Sequence, residues 1–154
     1  MGARRSPLPW VVSAGLLAGA FDIAYAIGLV LSQGRSPARM LQAIASGVLG
    51  KPAFEGGLPI AAFGLACHLA IAVGMAFVYY AAAQRWRFLV EHIVASAAAF
   101  GVGSWMAMQY VIVPASAAPF VLPADPASIA RSLFAHVVLV GLPIAWIVRR
   151  ALRG

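Results

Sequence analysis

Acidic side chains are nearly missing from this chain. Asp22, Glu55, Glu91 and Asp125 are its only carboxylates in 154 residues, and charged residues of both signs make up just 10%. A soluble domain has about a quarter of its residues charged, so this one cannot clothe a globule in polar surface. Cysteine is reduced to Cys67, which excludes an internal disulfide and leaves no CxxC or CxxCH pattern. Catalytic and ligand signatures are missing too: there is no HExxH, EF-hand or GxSxG pattern. GVLGKP at 47–52 imitates a phosphate-binding loop, but Ala45 stands where its first glycine belongs and Pro52 replaces the hydroxyl residue. With no recognisable nucleophile, an enzyme is the less favoured reading.

What the chain does have is apolar sequence. Hydrophobic residues make up 63% of it, and the solvent they imply is lipid. The pattern predicts an all-α integral membrane protein, one domain over residues 1–154, with four transmembrane helices in a bundle. The spans fall at about 9–31, 58–82, 88–113 and 127–148, each near the ~20 residues that cross a bilayer. Between the first two, Ser36-Pro37 starts a short amphipathic helix over 37–49. Met40, Leu41, Ile44, Ala45, Val48 and Leu49 share one face, with Arg39, Gln42 and Ser46 elsewhere. It is too short to span, so it lies along the outer interface or folds back over the bundle. Asp125-Pro126 gives the same start signal for the fourth span.

The net charge of +7 does not point to nucleic acid, because the basic residues flank apolar runs rather than forming a face with interleaved aromatics. Arg4, Arg5, Arg85, Arg87, Arg149, Arg150 and Arg153 fall on one side of the membrane, Arg35, Arg39, Lys51 and Arg131 on the other. Seven against four places both termini in the cytoplasm of a bacterial inner membrane. Trp10, Trp86 and Trp146 sit near the interfaces as anchors. The triplet Ala24-Tyr25-Ala26 mimics a signal-peptide cleavage site, but Asp22 and the apolar run on to Leu31 favour a retained span.

Gly15 and Gly19 form GxxxG on the first helix, and Gly64, Gly101 and Gly103 are further small residues suited to close helix packing. Pro143 should bend the fourth helix and free the Leu139 carbonyl. Glu91 follows Arg87 by one helical turn and reads as a solvated pair.

The residues that call for explanation are polar and deep. Asp22, His68 and His136 each lie roughly 13 to 15 Å from the outer interface at about 1.5 Å per residue, with Ser104 at a similar level and Tyr25 nearby. Each sits on a face able to turn inward. Three readings fit. The residues could be structural glue that fixes helix register through hydrogen bonds, with Tyr25 as one partner. They could form a proton or ion path, since imidazole titrates near neutrality beside an acid. Or His68 and His136 could ligate a metal or a haem b between two helices, giving a redox subunit with a cofactor where the other readings need none.

The strings AGAFDIAYA, SPARMLQAIASGVLGKPAFEGG and HVVLVGLPIAW resemble short four-span bacterial inner-membrane proteins of unknown function, of the YagU-like kind, over Gly15 to Ile147. The resemblance implies a multi-pass membrane protein with a link to acid resistance, and no catalytic residues. The expected function is a small proton- or solute-handling unit, or an accessory subunit of a membrane complex. A chain this short has little room for a complete transport path, so a homo-oligomer or a larger complex in the bilayer is its expected setting.

Overall fold

The computed structural model describes residues 6–153. Arg4 and Arg5, part of the charge count above, lie outside them. The elements are α1 (Leu8–Ser32), α2 (Pro37–Leu49), a 3-10 turn (Lys51–Glu55), α3 (Gly57–Arg85), a single turn α4 (Phe88–Glu91), α5 (Ile93–Ala115) and α6 (Pro126–Arg153), with no strand among the described residues. Helices α1, α3, α5 and α6 contain 25, 29, 23 and 28 residues, all long and apolar enough to cross a membrane. Their outward surface is apolar as well, with Leu16, Phe21, Val78, Val94 and Val111 exposed. This is a multi-pass membrane protein.

The helices run α3, α1, α6, α5 around the bundle, each packed on the next. Connections alternate, so one end holds both described chain ends and α4 (the termini end), and the other holds α2 and the 116–125 loop (the α2 end). The interior is small rather than greasy: Ala14, Ala18, Ala76, Ala97 and Ala145 are fully buried, joined by Val11, Tyr79, Ile144 and Val148. Lipid tails are as apolar as leucine, so helices gain by letting backbones approach. Gly15 and Gly19 do this against Val73 and Ala72 of α3, and Gly101 does it against His136 and Val137 of α6. Gly103 does not; a side chain there would meet nothing within 4 Å.

Three sequence expectations change. The third span begins at Ile93, not at 88, because His92 leaves helical geometry at φ −112°, ψ 70°. That break strands the Leu89 and Val90 carbonyls, and other elements serve them: Tyr79 Oη donates to Leu89 O at 2.8 Å and Arg153 Nη2 to Val90 O at 3.3 Å, while Phe88 O, which accepts from His92 N at 3.0 Å, takes a second bond from the Ser96 hydroxyl at 3.4 Å. Secondly, α2 does not bury the apolar face its periodicity suggested. Gln42, Ala45 and Ser46 are buried while Val48 and Leu49 are exposed. Gly64 of α3 admits the α2 backbone at Leu41, and Gln42 Nε2 donates to Gly57 O at 3.0 Å, so α2 is clasped to α3 through its polar side. Gly50 ends it at φ 67°, ψ −154°, a region only glycine occupies readily.

Lastly, α6 widens ahead of Pro143 instead of simply bending. Ala135–Gly141 is π-helical, and so is Met108–Ile112 in α5. In both helices a proline, Pro143 or Pro114, follows within two residues. Its ring clashes with the carbonyl one turn back and it offers no N–H, and the backbone answers by taking a wider turn. Both N-cap readings of the sequence hold in the structure: Ser36 accepts from Arg39 N at 3.4 Å and Asp125 from Ser128 N at 2.9 Å.

Candidate functional site

Asp22, His68 and His136 lie ten, eleven and ten residues from the α2 ends of α1, α3 and α6, a common depth of about 15 Å. Sharing a level does not make them one cluster. His68 Nε2 approaches Asp22 Oδ2 at 3.6 Å, and both side chains are less than a fifth exposed, at 17% and 19%. That separation exceeds a direct hydrogen bond, and the ring nitrogen has a nearer partner in Gly19 O at 3.1 Å. A carbonyl only accepts, so Nε2 carries the proton and donates it there. Gly19, lacking a side chain, leaves the imidazole room to reach the α1 backbone. The Asp22–His68 pair is thus built on the α1–α3 contact.

His136 belongs to a different surface. Its Nδ1–H donates to Ser132 O on its own helix at 2.9 Å, which leaves Nε2 as the free nitrogen. The ring sits in the π-helical stretch of α6, on the wall of a cavity of about 370 Å³ between α1 and α6 at the α2 end. Asp22, Tyr25, Arg35, Gln109 and Arg131 also line this cavity. Tyr25 is held by Phe134, ring centroids 5.6 Å apart. Arg131 Nη2 donates to Ser128 Oγ at 3.2 Å. Asp22 therefore faces both His68 and the cavity. Ser104 joins neither group: its hydroxyl donates to Gly101 O at 3.0 Å, and it is buried at the edge of the recess between α3 and α5.

A second chamber of about 350 Å³ lies beneath α2, and it is mostly apolar, lined by Met40, Ile44, Ile71, Trp105, Ile112 and Phe120 among others. The two chambers share Gln109, Leu122, Ser132 and His136 as a common wall. Residue counting had placed neither Gln109 nor the arginines at the site. Gln109 occupies the π-helical part of α5, where an extra residue per turn moves side chains off the face a 3.6-residue period assigns, and Arg35 sits in the α1–α2 connection. The signal available was the pair of prolines that follow the wide turns.

No three His, Cys, Asp or Glu residues gather into a metal-sized group among the described residues. Holding a haem or a metal through His68 Nε2 would require that nitrogen to leave Gly19 O. Glu91 pairs with Arg87 at 3.3 Å on the exposed surface of the termini end. Comparison of the chain with protein-family models, with curated proteins and with solved structures returns no match.

Proposed function

We propose that this chain is a non-enzymatic solute-handling protein of a bacterial cytoplasmic membrane, with both termini in the cytoplasm and its cavity open to the outer side. The observation that carries the reading is the asymmetry of the cavity. At the α2 end, one acid, one imidazole, two amides and two guanidinium groups converge on about 370 Å³ of space. Beyond Asp22, toward the termini end, Ala14, Ala18, Ala76 and Ile144 are fully buried and close the bundle. Polar groups are expensive at this depth and are kept where they face a partner or a cavity. A single chain closed in this way receives a solute from one side, which suits a binding or accessory role within an oligomer or larger complex.

The Asp22–His68 contact supports a narrower second reading in which the cavity floor also accepts a proton. An acid and an imidazole 3.6 Å apart, one of them open to the cavity, are a short relay that ends at the packed half.

Cysteine accessibility tests the main reading. In a Cys67→Ser background, Tyr25→Cys and Gln109→Cys should react with a membrane-impermeant maleimide added outside intact spheroplasts, while Ala145→Cys should not. Labelling of Ala145→Cys to the same extent, or protection of both cavity cysteines from either side, would sink it. The relay is tested separately by loading proteoliposomes with a pH-reporting dye: a proton flux abolished by Asp22→Asn supports it, and a flux indifferent to that change removes it.

A further inference from the structure

The cavity described above adjoins space that a water-soluble solute would not fill. From the wall shared by Gln109, Leu122, Ser132 and His136, the apolar chamber under α2 runs to Ile71 and Ile112. Those two residues also border a third recess of about 450 Å³ between α3 and α5, whose other linings include Met75, Val78, Phe100 and Ser104. Helices α3 and α5 do not pack along their lengths. They meet near the termini end, where Tyr79 and Phe100 touch edge-on at 5.1 Å, and they part toward the α2 end. Gly74 and Gly103 face the gap with nothing within 4 Å of where a side chain would be. An opening between two transmembrane helices faces the hydrocarbon, not water.

Charge is ordered along the same route. Arg35 stands in the α1–α2 connection, and Arg131 is five residues, about 7 Å, into α6. Asp22 and His136 lie about a turn and a half deeper, and beyond them the lining is apolar. Two guanidinium groups at the mouth, followed by an apolar passage that opens sideways into the membrane, are complementary to an amphiphile that is anionic at one end. Guanidinium groups bind phosphate oxygens through paired, charge-assisted hydrogen bonds.

We propose that the solute is a membrane lipid with a phosphate-bearing anionic headgroup. The headgroup is bound at Arg35 and Arg131, and one acyl chain lies under α2 and in the α3–α5 gap. This rests on the solute-handling reading and names the class of solute. Gln109, Ser132 and the free Nε2 of His136 stand where headgroup gives way to tail, and they can hydrogen-bond a glycerol hydroxyl or ester there. Helix α2, clasped to α3 by Gln42, roofs the chain.

Trp105 lines the apolar chamber and supplies the readout. With Trp10, Trp86 and Trp146 changed to Phe, the full chain is placed in phosphatidylcholine nanodiscs holding a few mole per cent of a lipid brominated on its acyl chain. Brominated phosphatidylglycerol should quench Trp105 in a saturable way, while brominated phosphatidylcholine should quench only in proportion to its share of the bilayer. Arg35→Gln with Arg131→Gln should weaken the phosphatidylglycerol preference about tenfold or more. Ile44→Trp, read by native mass spectrometry, should lower retention of phosphatidylglycerol by filling the chamber. Equal quenching by the two lipids, or a preference unaltered by the arginine changes, would overturn the proposal. So would displacement of the lipid by soluble glycerol 3-phosphate at equal concentration, since the headgroup alone would then be the ligand. If Tyr25→Cys and Gln109→Cys label from outside while the lipids quench equally, the lipid assignment falls and the solute-handling reading stands; if neither cysteine labels, both fall.

Discussion

The two ends of this bundle are made from the same few residue types and behave oppositely. At the termini end, a break in the helix at His92 is bridged by side chains from three different helices: Tyr79 and Arg153 take up the freed carbonyls of Leu89 and Val90, and Ser96 adds a second bond to Phe88 O. Fully buried alanines and Ile144 fill the space between. At the α2 end, the irregularities are π-helical stretches, and each puts one residue, Gln109 or His136, in the wall shared by the chambers of about 370 and 350 Å³. Irregular backbone can therefore lock a membrane protein or open it. What decides is whether neighbouring side chains reach the groups it frees.

The largest expected effect comes from crowding the contacts that keep the helices close. Gly101→Leu would drive a side chain into the α6 backbone at His136 and Val137, and overpacking of this kind costs about 3 kcal/mol or more. We expect loss of a monodisperse species on size exclusion in detergent. Gly103→Leu, two residues away but facing the α3–α5 gap, should elute as the parent does. If the two variants behave alike, the division between packed and open faces of α5 is wrong.

Next in size is cavity creation. Ile144→Ala, in the packed half, should destabilise by about 2–4 kcal/mol, read as a lower thermal midpoint. Ile44→Ala borders a chamber that already exists and should cost about 1 kcal/mol or less, since few contacts are lost. A reversed order would mean that the chamber under α2 is packed in the membrane.

Asp22→Asn keeps the shape of the side chain and removes its charge. The expected loss is about 1 kcal/mol, typical of polar contacts between membrane helices, and the same loss in a His68→Ala background would show that the two residues are not coupled. A double-mutant cycle on thermal midpoints decides this.

The smallest effect lies at the cap of α6. The Ser128 hydroxyl and backbone N–H beside Asp125 hold its carboxyl below the ordinary aspartate value. The charged cap thus contributes stability above about pH 4, which is lost as the pH falls through the lowered value in the folded state. The midpoint difference between the parent and Asp125→Ala should be constant near neutrality and shrink in acid. A difference that grows in acid would contradict the assigned hydrogen bonds.

Much of this was legible in the sequence. The α2 boundaries at Pro37 and Leu49, both capping residues and the common depth of Asp22, His68 and His136 follow from elementary rules: a proline at the first helical position, a fixed rise per residue and the length that crosses a bilayer. The partnerships were not legible. Depth alone suggested that Asp22, His68, His136 and Ser104 would meet. The structure joins Asp22 to His68, puts His136 on the wall of a cavity that Asp22 also lines, and sets Ser104 at the gap between α3 and α5. For Gln109 and His136, azimuth is where the counting failed, because it assumes a uniform 3.6-residue period and both lie in the wide turns ahead of Pro114 and Pro143. Nor could hydropathy reveal that α2 buries Gln42 while showing Val48 and Leu49, since it does not register the space that Gly64 leaves on a neighbouring helix.

The alanine and glycine lining of the packed half has one more consequence, for the entropy of assembly. Neither residue has side-chain rotamers to lose. Val11, Tyr79, Ile144 and Val148 are ordered there, but many of the larger apolar side chains, Leu16, Leu17, Phe21, Val78 and Val94 among them, point outward among lipid chains as mobile as themselves and keep their freedom when the helices come together. Helix association at the termini end therefore freezes the motion of a few side chains only, and the dispersion contacts that hold it have less entropy to offset than in a core built of leucine.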